Sequence, residues 1–196
     1  MMELWHAWAC PYCMRVRGAL AEKGVPYRSR EIDLVSKPPN LLGLNPEGAV
    51  PMLVDGDDVV VGSLAILEHL CARWTYPPLF PARHGREAVL KAYARVDALF
   101  APHLPQIARG TPEERVQALA ATRQAMAELD AEVPDAGFLL GELSVADLAL
   151  ASFMARLPAD WRPTPLGLAR LARWERAVMR RPTVRDQMGP SLAMVG

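Results

Sequence analysis

An α/β domain followed by an all-helical one is the fold class this sequence predicts, and three observations predict it. Up to about residue 75, short β-rich runs alternate with helical ones, as in βαβ units. Thr75-Tyr76-Pro77-Pro78-Leu79-Phe80-Pro81 then interrupts any helix, because proline lacks the donor and clashes with the preceding turn. Beyond it, apolar residues recur only at helical spacing.

The elements follow in order. A strand is expected over 2–8 and a helix over 11–23, stopped by Lys23-Gly24. Strands over 27–32, 50–54 and 58–61 come next, the last two joined by the hairpin signal Asp55-Gly56-Asp57. A loop or short irregular helix spans 36–40, and a helix over 63–74 opens with Ser63 as N-cap. In the second part Val89, Tyr93, Val96 and Phe100 share one helix face, ended by Pro102 and Pro105. Thr111-Pro112-Glu113-Glu114 begins a helix marked by Val116, Leu119, Met126 and Leu129. Ser144 and Asp147 have capping-box spacing, with Leu143 and Leu148 placed as a hydrophobic staple. A last helix over 165–180 carries Leu168, Leu171, Trp174 and Val178 on one face.

The chain of 196 residues is 51% hydrophobic and 22% charged, with a formal net charge of zero. No basic face of the kind nucleic acid requires stands out, and no apolar run approaches the ~20 residues of a membrane span. Neither nucleic acid nor membrane is an expected partner. Three cysteines do not form a disulfide framework, and without a secretory start the expected compartment is a reducing cytoplasm.

The chemistry-bearing motif is Cys10-Pro11-Tyr12-Cys13, set between an apolar strand and a helix containing Arg15 and Arg17. A cysteine at a helix N-terminus meets free backbone N–H groups and the positive end of the dipole, which favour its thiolate. Thiol pKa values there fall from about 8.5 to roughly 3.5–7.5. Cys13, one turn on, is placed to close a disulfide on Cys10. A structural zinc site needs four ligands, and no second CxxC or HxxxH exists to supply them, so no metal is expected. Cys71 and His6 read as packed residues. Trp8, Tyr93 and Trp161 suit either the core or an electrophile pocket.

Four segments taken together carry a resemblance. They are Cys10-Pro11-Tyr12-Cys13-x-Arg15-Val16, then Asn45-Pro46-Glu47-Gly48-Ala49-Val50-Pro51-Met52-Leu53, Ser63-x-Ala65-Ile66-x-Glu68-His69-Leu70, and the Ser144-x-x-Asp147 cap. Over nearly its whole length the chain resembles the cytosolic glutathione transferase superfamily. CPYC points to its cysteine-type members, the omega class and glutaredoxin-like bacterial proteins. The resemblance implies a thioredoxin-like glutathione-binding domain over 1–75, a linker over 76–85 and an all-helical C-terminal domain over 86–196.

It also implies a glutathione site. Val50, before a cis Pro51, offers its backbone to the cysteinyl part of glutathione. Ser63 binds the γ-glutamyl carboxylate, and Lys37 meets the glycyl end. Gly62 stands where the family usually has Glu or Asp, which contributes to binding the γ-glutamyl end, including its ammonium. That departure weakens glutathione binding, moves the ammonium contact elsewhere, or indicates a different thiol.

The implied activity is glutathione-dependent thiol–disulfide exchange, covering thiol transfer, deglutathionylation or dehydroascorbate-type reduction. Cys10 is its nucleophile and Cys13 its second thiol. Glutathione is the co-substrate, and the second substrate is a small disulfide, mixed disulfide or electrophile. A homodimer is the expected state. The alternatives are a non-catalytic glutathione- or partner-binding protein of the same fold and a dithiol reductase that uses no glutathione.

Overall fold

The computed structural model describes residues 1–188; the end of the predicted helical domain, 189–196, lies outside the described residues. Strands β1 (Glu3–His6), β2 (Arg28–Glu31), β3 (Met52–Asp55) and β4 (Asp58–Val61) form one sheet of order β2-β1-β3-β4. β1 pairs in parallel with β2 and antiparallel with β3, and β3 runs antiparallel to β4 with Asp55 opposite Asp58. Helices α1 (Pro11–Glu22), α2 (Pro39–Leu44) and α3 (Ser63–Arg73) complete this thioredoxin-like part.

From Gly85 onward the regular elements among the described residues are helices: α4 (Gly85–Phe100), α5 (Leu104–Arg109), α6 (Pro112–Glu132), α7 (Val145–Met154), α8 (Ala169–Met179) and α9 (Pro182–Arg185), with single 3-10 turns between some of them and isolated bridges at 138–142. No helix among the described residues is long and apolar enough to cross a membrane.

Local chemistry explains most boundaries. Pro11 begins α1, where a missing donor loses nothing, and Gly24 follows its end with φ of 62°. At α6, Glu114 N–H donates to Thr111 Oγ1 while the Glu114 carboxylate accepts from Thr111 N–H. α7 starts on the predicted capping box and is buried along its whole length, so it runs through the core as a central rod.

Five expectations need correction, the last helix among them, since it begins at Ala169 with Leu168 as its N-cap and not at 165. α3 begins at Ser63 itself and its N-cap is Gly62, so the Ser63 hydroxyl is free for another partner. The first strand closes at His6, because the chain turns at residues 7–9. Pro102 does end α4, but the chain re-forms a helix at once as α5, with Pro105 tolerated in its first turn. Val116 is 62% exposed and faces water, while Leu119, Met126 and Leu129 carry the buried face of α6.

A continuous apolar core joins the two parts, running from Leu4, Met14 and Leu20 through Ile66 and Leu70 to Phe100, Phe153 and Trp174. Polar ties reinforce it. Lys23 Nζ donates to the Trp74 and Pro77 carbonyls at 2.6 and 2.8 Å, and Arg181 makes a bidentate pair with Glu22 at 2.7 and 2.6 Å.

Two arginines of α1 are fully buried within this junction. Arg17 donates to the carbonyls of Trp8 and Gln187 at 2.9 and 2.8 Å and to His6 Nδ1 at 3.2 Å. Since Arg17 can only donate, His6 Nδ1 accepts and its Nε2–H donates to Ser29 Oγ at 2.7 Å. Burial, then the adjacent Arg17 charge, push the His6 pKa down to about 4, so the imidazole is neutral packing.

Candidate functional site

The strand-to-helix turn sets Cys10 as the N-cap of α1 in extended backbone, with its carbonyl accepting from the N–H groups of Cys13 and Met14 at 3.1 and 3.0 Å. Cys10 is half-buried and Cys13 fully buried, and neither is in a disulfide. Their pKa values are driven apart. A hydrogen bond from the Cys13 side chain lowers the Cys10 thiol to about 7 against the opposing effect of burial. Backbone N–H groups of Cys13 and Tyr12 and the charge of Arg15 act in the same direction. Burial pushes Cys13 far up, and the Cys10 charge pushes it further. The arrangement holds one thiolate and one thiol, with the thiol donating.

A cleft of about 570 Å³ opens beside this turn. Val50 and Pro51 line it from the approach to β3, Gly62 and Ser63 from the head of α3, and Tyr93 and Asp97 from α4; Tyr12 and Glu68 also contribute. The Val50–Pro51 peptide bond is cis. Gly62 N–H donates to the Pro51 carbonyl at 3.0 Å, which ties the two glutathione-site segments of the sequence reading together.

Of the residues singled out from sequence, Val50, Pro51, Gly62 and Ser63 therefore share one cleft. Cys10 and Cys13 are not among its lining residues; Tyr12, between them, is. Lys37 is exposed and outside the lining, with its Nζ donating to the Glu47 carbonyl at 3.4 Å. Asp58 is also outside the lining, whereas Glu68 belongs to it and pairs with Arg86.

Gly62 has φ of 93° and ψ of 142°, close to a region that is essentially glycine-only. An added Cβ would meet nothing within 4 Å, so any penalty there is backbone strain alone. Gly62→Ala is expected to lower stability by about 1–3 kcal/mol, seen as an earlier denaturant midpoint at unchanged m-value. An unshifted midpoint would mean that the turn relaxes freely.

Sequence reasoning missed the polar chain at the cleft floor. Arg15 Nη1 donates to Tyr93 Oη at 2.6 Å and to Asp97 Oδ1 at 2.8 Å, and Tyr93 Oη lies 2.9 Å from Ser63 Oγ. The guanidinium is covered by the rings of Tyr12, Tyr93 and Phe153, 4.8–5.1 Å from their centroids. Tyr93 and Asp97 are one helical turn apart on α4, and that spacing was the available signal. It reads equally well as an ordinary core stripe. Arg156, buried just beyond α7, is a further cation; burial lowers its pKa and the nearby Cys10 charge pulls the other way. No cluster of metal-ligating residues exists among those described.

Residues 4–78 match the family described as Glutathione S-transferase, N-terminal domain. A stringent starvation protein A homolog from Pasteurella multocida is 35% identical over 163 residues, which are 80% of this chain and 72% of that protein. Glutathione S-transferase U7 of Arabidopsis thaliana is 30% identical over 162 residues, 82% of this chain and 70% of that protein. The crystal structure of rice GST1 in complex with glutathione superposes with a TM-score of 0.86 at 28% identity, covering 99% of this chain and 92% of that one. With a thioredoxin-like sheet, a helical C-terminal part and relatives of this identity and coverage, the chain belongs to the glutathione S-transferase family.

Proposed function

We propose that this chain is a cysteine-type, omega-like thiol transferase that uses glutathione to reduce small disulfides or mixed disulfides. The observation that carries the reading is the divergence of the Cys10 and Cys13 pKa values beside a cleft containing Val50, Pro51 and Ser63. In this reading residues 1–75 form the glutathione-binding domain, 76–85 the linker and 86–196 the helical domain, of a protein acting as a homodimer. The rice relative's complex with glutathione supports the choice of thiol.

The Cys10 thiolate attacks the glutathione sulfur of a mixed disulfide. A Cys10–glutathione disulfide forms and the other thiolate leaves, taking the electron pair of the broken bond. A second glutathione, as thiolate, attacks the bound glutathione sulfur. Oxidised glutathione leaves and the Cys10 thiolate returns. Val50 offers its backbone and Ser63 a hydroxyl to the tripeptide, while Lys37 contributes at most from the rim. Cys13 serves as the donor that holds Cys10 ionised.

The test is glutathione-dependent turnover of a small mixed disulfide; no turnover by the intact protein ends the proposal. Cys13→Ala is expected to keep glutathione-dependent turnover but shift the pH profile of Cys10 alkylation above about 7, because its largest pKa-lowering contact is gone. A profile that stays put would mean that the helix terminus and Arg15 suffice.

One observation favours a second reading. The Pasteurella multocida relative bears the name of a stringent starvation protein. A non-catalytic regulatory protein that keeps the fold would bind partners and show no turnover, and Gly62 in place of the usual acid suits it.

A further inference from the structure

Tyr93 carries an inference that deepens the proposed glutathione site and rests on that reading. Its hydroxyl oxygen accepts from Arg15 Nη1, because a guanidinium has no acceptor. The phenol's own proton then needs an acceptor, and Ser63 Oγ at 2.9 Å is the one within hydrogen-bond distance among the described residues. Both side chains are buried, so leaving that proton unpaired would be penalised by desolvation. Paired in that sense, Ser63 Oγ accepts from Tyr93 and keeps its own hydroxyl proton for the cleft that Ser63 lines.

The direction of the chain is set at its origin. Arg15 is fully buried, and among the described residues its Nε and Nη2 find no acceptor and Asp97 is the one carboxylate paired with it. Each link is thus a donor toward the cleft: Arg15 to Tyr93, Tyr93 to Ser63, Ser63 outward. A serine held this way offers a hydrogen bond to an anion, backed by a buried cation, and is poorly set to accept one from an ammonium or amide.

We propose that Tyr93 is a positioning residue that locks Ser63 as a donor and so makes this end of the cleft selective for a carboxylate. The selected group in the proposed substrate is the γ-glutamyl carboxylate.

Tyr93→Phe removes only the hydroxyl. Isothermal titration of the reduced protein with glutathione, and with the analogue whose γ-glutamyl carboxylate is replaced by hydrogen, provides the test. The variant is expected to bind glutathione about tenfold more weakly and the decarboxylated analogue equally well. Its thermal midpoint should fall by no more than the loss of one buried Arg15 hydrogen bond, and the pH profile of Cys10 alkylation should hold, since Arg15 stays paired with Asp97. In the background of Ser63→Ala, Tyr93→Phe should add no further loss, since Tyr93 acts through Ser63.

Wild type that does not bind glutathione overturns the proposed site and this inference with it. Wild type that binds, with an unaffected Tyr93→Phe, overturns the inference and leaves the site standing. An equal loss for both ligands, or additive losses in the double variant, assigns Tyr93 a packing role and also overturns it.

Discussion

Cys10→Ser is expected to lower glutathione-dependent disulfide reduction by roughly 10³-fold or more, the scale on which removal of an attacking group is felt. At neutral pH the Cys10 thiol, lowered to about 7, is substantially ionised, whereas a serine hydroxyl remains protonated and does not exchange with disulfides. The remaining cysteines offer no substitute. Cys13 is fully buried and pushed far up, and burial also raises Cys71, near the C-terminal end of α3. The substitution changes one atom at a half-buried N-cap, so the unfolding midpoint should stay within about 0.5 kcal/mol of wild type. Activity retained in Cys10→Ser would move the chemistry away from the CPYC turn altogether.

The second large effect lies at a residue outside the cleft lining. Asp147 is completely buried at the start of α7, and four donors converge on its carboxylate. Ser144 N–H and hydroxyl donate to Oδ2 at 2.9 and 2.8 Å, while Leu139 N–H and Trp174 Nε1 donate to Oδ1, both at 2.8 Å. Burial pushes the carboxyl pKa up, and these same hydrogen bonds pull against it. Asp147→Ala strands the donors in a site closed to water, at an expected loss of about 3–5 kcal/mol. Denaturant unfolding reads it directly. A loss under about 1 kcal/mol would show that the loop at 138–143 can rearrange to rehydrate them.

What the sequence disclosed and what it concealed divide by the range of the interaction. The CPYC turn, the Asp55-Gly56-Asp57 hairpin, the helix start at Thr111, the capping box at Ser144 and the Val50–Pro51 and Ser63 segments are written in neighbouring residues, and each was readable. The N-cap of α3 slipped by one position, because serine is the better cap by preference while the required positive φ demands Gly62. α5 was hidden behind two prolines that normally end a helix. The Arg15–Tyr93–Ser63 chain joins positions 15, 93 and 63, and no local pattern announces it. Arg15 and Arg17 on α1 read from sequence as added positive potential near Cys10. Their complete burial turns that field into directed contacts instead.

That burial sets an order of assembly. A chain emerging from its N-terminus carries Cys10 and Cys13 early, together with two guanidiniums destined for the interior. The carboxylate that receives Arg15 is made only at residue 97, and the last carbonyl that receives Arg17 only at residue 187. Until then α1 would have to hide two cations without their acceptors, which is unfavourable. The nucleophile is thus synthesised first, while the cations of its helix are paired last. The strongest pKa-lowering contacts of Cys10, from Cys13 and the turn's own N–H groups, are local, so what a ribosome-bound chain still lacks is the seating of Arg15 and Arg17.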